Sequence, residues 1–192
     1  MDNSVIYQEQ RFAEIPPENR RFFLEEIEPK NEGQRVLIEK LIRLARKEYK
    51  TLLISGNKGT GKTFLALAFL NSAIYRTQEP SEFTAKYVTH YELDLRYKAA
   101  MNDSKKTQAD IYNQYAEYSY LVIDELGRGS ITDYSMTFIE NLISRRYSWS
   151  RPTVIITNKT TKELKELLDA QMLDRLGNEK QETFALDGES LR

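Results

Sequence analysis

Apolar residues fall into two rhythms along this chain. From Gln34 onward, Leu37, Ile38, Leu41, Ile42 and Ala45 recur at intervals of three and four, which places them on one face of a helix ending near Lys50. Four short runs rich in β-branched residues follow, Thr51 to Ser55, Lys86 to Thr89, Tyr120 to Ile123 and Thr153 to Thr157, and Glu182 to Leu186 is a weaker fifth. The runs are continuous rather than alternating, and helical stretches separate them, so the strands are expected to be parallel and covered on both faces. The predicted class is α/β, a doubly wound parallel five-stranded sheet, in which ligands sit beyond the carboxyl ends of the strands.

The first thirty residues keep neither rhythm. Asp2 to Lys30 is polar and charged, is broken at Pro16, Pro17 and Pro29, and has one short apolar cluster at Phe22, Phe23, Leu24 and Ile27. The expectation is an arm over residues 1–32, extended or helical, that adds little core and docks on a protein partner, ahead of one α/β domain over residues 33–192.

Composition narrows the chemistry. With 192 residues, 40% of them hydrophobic, the chain can bury one sizeable core but hardly two. Lys and Arg number 28 against 29 Asp and Glu, so overall charge does not hold it on nucleic acid, and any DNA contact must be local. Cysteine is absent and His90 is the single histidine, which excludes disulfides, thiolate zinc sites and a Ser-His-Asp triad built on anything but that one residue. The longest apolar run, Phe64 to Leu70, is far short of the roughly 20 residues that span a bilayer, and the start has no basic-then-apolar signal, so a soluble cytoplasmic protein is expected.

Directly after the first predicted strand stands Gly56, Asn57, Lys58, Gly59, Thr60, Gly61, Lys62, Thr63, which fits G-x-x-x-x-G-K-[ST] at every fixed position. The setting also fits: the loop opens the apolar helix that begins at Thr63, whose free N–H groups and positive dipole end face an anion. Glycines let the backbone curl around phosphates, Lys62 reaches the β- and γ-phosphates, and the Thr63 hydroxyl can ligate Mg2+. The third strand delivers Asp124 and Glu125 to the same sheet edge. Asp124 suits the Mg2+ hydration shell, and Glu125, one residue further out, suits orienting or deprotonating a water aimed at the γ-phosphate. Asn158, after the fourth strand, either hydrogen-bonds that water or the γ-phosphate, or caps the next helix as an Asx turn.

A phosphate loop, Asp-Glu at the third strand, Asn after the fourth and an arginine after a further helix follow one another as they do in AAA+ ATPases. Within that superfamily the chain resembles the DnaC/IstB-like branch, the bacterial and phage helicase loaders and their transposition-helper relatives. The resemblance runs from about Glu32 to Arg192. It is carried by Glu32-Gly33-Gln34, the loop at 56–63, Leu121 to Gly127, Arg145-Arg146, Arg151-Pro152-Thr153, Thr157-Asn158, Leu173 to Asn178 and Ser190-Leu191-Arg192. It implies an AAA+ P-loop fold without a helical lid domain, ATP and Mg2+ as cofactors, and self-assembly. It further implies Arg175 as a finger reaching a neighbouring subunit's nucleotide and Arg192 as a second sensor arginine acting within its own subunit. The implied partners are single-stranded DNA and a hexameric replicative DNA helicase, in a bacterial cytoplasm, host- or phage-encoded. Members of this branch usually carry a longer amino-terminal domain, zinc-bearing in some, where this sequence has about thirty cysteine-free residues.

In these loaders the segment after the Asp-Glu strand faces single-stranded DNA. Here it is Gly127 to Tyr134, with a cation, hydroxyls and an aromatic ring that suit a sequence-tolerant contact, while Thr132-Asp133 equally suits a helix cap. Lys105-Lys106 reads as a solvated loop, Tyr112, Tyr115 and Tyr118 as a packed helix face, and His90 as structural. Two rivals stand beside the loader: a transposition-helper ATPase on duplex DNA that recruits a transposase, and a nucleotide-gated adaptor that hardly hydrolyses ATP, against which Glu125 argues.

Overall fold

The computed structural model describes residues 3–48, 50–77, 84–129, 132–168, 172 and 181–186. Helix α1 (Asn3–Phe12) and two short 3-10 turns (Pro17–Asn19 and Leu24–Glu26) lead into α2 (Glu32–Ala45). Then come β1 (Thr51–Ser55), α3 (Lys62–Arg76), β2 (Ala85–Thr89), α4 (His90–Ala99), α5 (Gln108–Glu117), β3 (Tyr120–Asp124), α6 (Asp133–Ser148), β4 (Thr153–Ile156), α7 (Thr161–Leu167) and β5 (Gln181–Ala185). All five strands are parallel, in the order β2-β3-β4-β1-β5. The predicted strands and sheet class are thus present. Helix α2 stops earlier than its apolar rhythm suggested, because Lys47 turns into the left-handed region at φ 61°.

The order explains which helices lie on which face. Chain leaving β1 crosses to the far edge at β2 through α3, whereas β2→β3→β4 and β4→β5 run the opposite way. Right-handed crossovers in opposite directions must use opposite faces. One core cluster accordingly joins α2 and α3 to the sheet through Leu37, Leu41, Leu65 and Phe69, and the other joins α4 to α7 through Leu93, Tyr115, Ile139 and Leu164. The reversal falls between β1 and β4, which opens a crevice at the carboxyl ends of the strands. Tyr115 is buried as expected of its helix face, but α5 packs chiefly beside α6: Tyr112 meets Phe138 edge-on at 6.3 Å and donates its hydroxyl to Asn141 O at 3.2 Å.

The Arg145-Arg146 segment has a structural explanation. Arg146 is fully buried with no carboxylate partner, yet its guanidinium donates to Thr153 Oγ1 (2.8 Å) and to the carbonyls of Tyr115, Ala116, Tyr118 and Pro152 (2.7–3.1 Å). Burial lowers its pKa, with Arg151 adding repulsion. Five acceptors around one planar fork tie α6 to the entry of β3 and of β4.

The amino-terminal segment departs from expectation. Residues 3–27 do not stand clear of the domain: Ile6, Ala13, Ile15 and Leu24 are buried in the same cluster as α2 and α3. The contact is largely polar. Asn71, buried in α3, donates to the carbonyls of Asn19 and Phe22, both at 2.8 Å, and accepts from Gln10 Nε2 at 3.0 Å. The neighbouring Ser72 Oγ accepts from Leu24 N at 2.8 Å. At the edge of the sheet Tyr87 N donates to Ala13 O at 2.8 Å, and Glu14 pairs with Lys86 (2.5 Å) and Arg96 (2.8 Å). The expected arm that adds little core is corrected here, because polar side chains on α3 supply the hydrogen bonds that scattered apolar residues could not replace.

No helical lid domain follows β5, and no helix is long and apolar enough to cross a membrane, among the described residues.

Because Asn71 closes three buried hydrogen bonds, Asn71→Ala should cost about 2–4 kcal/mol of stability by stranding their partners. Urea unfolding measures it; an unchanged midpoint would show that residues 3–27 are not part of the cooperative unit.

Candidate functional site

The loop after β1 needs its glycines. Gly56, Gly59 and Gly61 have φ of 133°, 84° and 96°, and a Cβ on Gly56 would lie 2.2 Å from Leu186 O. Thr60 Oγ1 closes the turn on Asn57 O at 3.0 Å. Gly61 in the left-handed region caps α3, so the first N–H groups of that helix open toward the loop's interior. Lys62 is buried and donates to the loop's own carbonyls, Gly56 O at 2.8 Å and Asn57 O at 2.5 Å. Burial lowers its pKa, and the charge of Asp124 opposes the shift.

Asp124 ends β3 on the face that carries α3. Its Oδ2 accepts from Thr63 Oγ1 at 2.7 Å and from the Tyr87 hydroxyl at 3.1 Å, and its Oδ1 accepts from Glu125 N at 2.6 Å. At 2% exposure, burial raises its carboxyl pKa while these donors pull it down. The same burial and the Asp124 charge hold the Tyr87 phenol well above its ordinary value, so the hydroxyl remains a donor. Thr63 and Asp124 therefore set a hydroxyl oxygen and a carboxylate side by side at the root of α3, hard oxygen donors of the kind Mg2+ accepts when a nucleotide supplies the rest.

Glu125 sits at φ 56°, which turns the chain out of the strand and directs its carboxylate to the cleft, where Oε1 pairs with Arg128. Leu126 N then returns to Ile156 O at 2.8 Å, binding this turn to the end of β4. Gly127 has no room for a side chain: a Cβ would stand 2.5 Å from Lys159 Cε and 2.8 Å from Leu167 Cδ2. Asn158 is exposed and lines the same cleft. It does not cap the following helix, since Thr160 does so with a complete capping box to Glu163. The cleft, about 640 Å3, joins Lys58, Gly59, Gly61, Lys62, Thr63, Asp124, Glu125, Arg128 and Asn158.

The opposite wall was missed by sequence reasoning. Ile27, Glu28 and Lys30, from the segment before α2, line the cleft together with Gln34. Gln34 is buried, donates to Thr60 O at 3.2 Å and accepts from Lys30 N at 2.9 Å. A signal existed, since Gln34 occupies the first position of the apolar stripe continued by Leu37, Ile38 and Leu41. Tyr87 had none, because a tyrosine in a strand reads as packing.

His90 is structural, as expected: it is buried at the start of α4, accepts from Gly127 N at Nδ1 (3.3 Å) and faces Ser135 Oγ with Nε2 (3.4 Å). In the Gly127–Tyr134 segment Thr132 caps α6, and Tyr134 stacks on Tyr97 and donates its hydroxyl to Gln108. Arg128 remains its exposed cation, while Ser130 and Ile131 lie outside the described residues. Arg175 and Arg192, with the Leu173–Asn178 and Ser190–Arg192 matches, also lie outside them.

The family model of the IstB-like ATP binding protein matches residues 6–192. The chain belongs to that family. Within the AAA+ ATPases its relatives include the replicative helicase loader DnaC of Escherichia coli strain K12, 30% identical over 130 residues, 67% of this chain and 51% of that protein. The DnaC loader of Buchnera aphidicola subsp. Acyrthosiphon pisum is 28% identical over 163 residues, 82% of this chain and 64% of that one. The chain thus spans about half to two thirds of the length of these relatives. A crystal structure of the DnaC helicase loader superposes with a TM-score of 0.73 at 24% identity, covering 88% of this chain and 99% of that one. The five-stranded fold is that of this group.

Burial lowers the His90 pKa, with Asp94 opposing and Lys98 assisting. Unfolded, the ring titrates near about 6.5, so the stability contributed by its neutral form is complete above that pH and lost as pH falls toward the lower folded value. His90→Gln should flatten the fall in urea midpoint between pH 7 and 5; an identical fall in the variant would remove His90 as its cause.

Proposed function

We propose that this chain is a Mg2+-dependent ATPase that self-assembles on single-stranded DNA and delivers a hexameric replicative DNA helicase. The observation that supports this most is the Thr63–Asp124 hydrogen bond at the mouth of the phosphate loop, in a chain whose named relatives are helicase loaders.

The roles follow from geometry. Residues Gly56 to Thr63 wrap the phosphates with backbone N–H groups, and Lys62 exchanges its bonds to Gly56 O and Asn57 O for phosphate oxygens. Thr63 and Asp124 hold the cation, directly and through its water shell. When bound, Mg2+ neutralises charge between the β- and γ-phosphates. Glu125 orients or deprotonates the attacking water, once its pairing with Arg128 gives way, and Asn158 hydrogen-bonds that water or the γ-phosphate. Arg175 reaches across to a neighbouring subunit's nucleotide, and Arg192 acts as a sensor in its own subunit. Arg128 supplies the cation toward DNA, while Tyr134 is already stacked within the chain and serves there as support rather than as a platform for bases. The segment over residues 3–27 offers its outer surface to the helicase, with Tyr7 and Phe12 exposed on α1. The work is done in a bacterial cytoplasm, on host or phage DNA.

A second reading, a transposition helper on duplex DNA, has the family's IstB-like description in its favour. Preference for single-stranded over duplex DNA separates the two.

Lys62→Ala should abolish ATP binding, whereas Glu125→Gln should keep binding and lose turnover, measured with a fluorescent nucleotide and by phosphate release. Wild-type hydrolysis by Glu125→Gln would overturn the assignment of roles. If Arg175 acts in trans, Lys62→Ala and Arg175→Ala, each inactive alone, should recover ATPase activity when mixed, because some interfaces then hold one complete site. Absence of recovery in mixtures that co-sediment would place Arg175 within its own subunit.

A further inference from the structure

Tyr87 belongs to no motif, yet its hydroxyl donates to Asp124 Oδ2 at 3.1 Å, the same oxygen that accepts from Thr63. The contact follows from the sheet. Tyr87 is in register with Val122, so Asp124, two residues on, is its diagonal neighbour on the same face, within reach of a side chain as long as tyrosine. The ring packs against the core on the α3 side, and the backbone is clamped from outside by the hydrogen bond from Tyr87 N to Ala13 O. Lys86, next to it, is held by Glu14.

A carboxylate at a strand end can turn about its side-chain bonds, and one donor would leave its plane free. Here Thr63 and Tyr87 share one oxygen and Glu125 N holds the other, which fixes the plane. Thr63 has a single hydroxyl proton, and donating it to Asp124 leaves its oxygen lone pairs for a cation. Tyr87 is the donor in this set that has no part in the phosphate loop, so it can hold Asp124 while Thr63 adjusts to a nucleotide.

We propose that Tyr87 is a positioning residue of the cation site, holding the Asp124 carboxylate in the orientation that meets a nucleotide-bound divalent cation. The inference rests on the reading of Thr63 and Asp124 as the Mg2+ side of an ATP site, and it adds a residue outside that motif set. It also gives the amino-terminal segment a bearing on the site, since Ala13 and Glu14 brace the strand edge from which Tyr87 reaches.

Tyr87→Phe removes the hydroxyl and keeps the ring. The test is the affinity of the full chain for a fluorescent ATP analogue, in EDTA and across a Mg2+ titration. Binding in EDTA should match wild type, while the Mg2+ concentration giving half of the Mg2+-dependent gain should rise about 10-fold, as for lost supporting contacts at other metal sites. Tyr87→Met, which also lacks the hydroxyl, carries the same expectation if the phenylalanine variant does not fold. An unchanged Mg2+ midpoint overturns the proposal, and so does equal weakening with and without Mg2+, which would mean a packing role alone. If wild type binds the analogue with no Mg2+ dependence, the reading of Thr63 and Asp124 falls and takes this inference with it. A wild-type Mg2+ response that the variants preserve sinks the role of Tyr87 alone.

Discussion

A carboxylate buried at the end of β3 sets the terms for the rest of the molecule. Asp124 bears its charge at 2% exposure with no cation in contact, so the surroundings must supply donors, and they come from three separate elements: Thr63 on α3, Tyr87 on β2 and the N–H of Glu125. An ionised carboxylate without such partners would cost several kcal/mol (~3–5 for a broken buried pair). Strand order makes the arrangement possible. With β3 between β2 and β4, and β4 beside β1, the carboxyl ends bring the phosphate loop, the acidic pair and Asn158 to one crevice.

Polar contacts of the same kind determine how the outer parts attach. Arg146 joins α6 to the β3 and β4 entries through five acceptors, and Asn71 with Ser72 gathers the amino-terminal segment onto α3. Apolar burial alone tolerates sliding, whereas a buried donor left without its acceptor does not, so these side chains give a unique register to surfaces whose apolar content is modest. The consequence reaches the site. The segment that follows these contacts supplies Ile27, Glu28 and Lys30 to the wall of the cleft, so folding of residues 3–27 and shape of the cleft are linked.

Much of this was legible in the sequence, and for identifiable reasons. Parallel strands buried on both faces read as continuous apolar runs, so Thr51–Ser55 and Tyr120–Asp124 were visible, and the phosphate loop announces itself because its glycines have a conformational requirement. Glycine at 127, noted in the sequence, proves to be demanded by Lys159 and Leu167 lying over it. The packing of residues 3–27 was not legible, because Ile6, Ala13, Ile15 and Leu24 follow no period and their anchor lies on another element. Its one trace was the polar pair Asn71-Ser72 inside an otherwise apolar helix. Tyr87 escaped because its meaning depends on the register of β2 against β3, which no local pattern reveals.

The central claim is that the loop from Gly56 to Thr63 is a preformed phosphate cradle whose backbone N–H groups take the nucleotide. Amide hydrogen exchange of the full chain, with and without ATP and Mg2+, tests it most directly. The account predicts that amides of residues 57–63 become protected on binding while those of the already buried strands change little. Nucleotide binding that left these loop amides as exchangeable as before, or that protected another part of the surface instead, would contradict it.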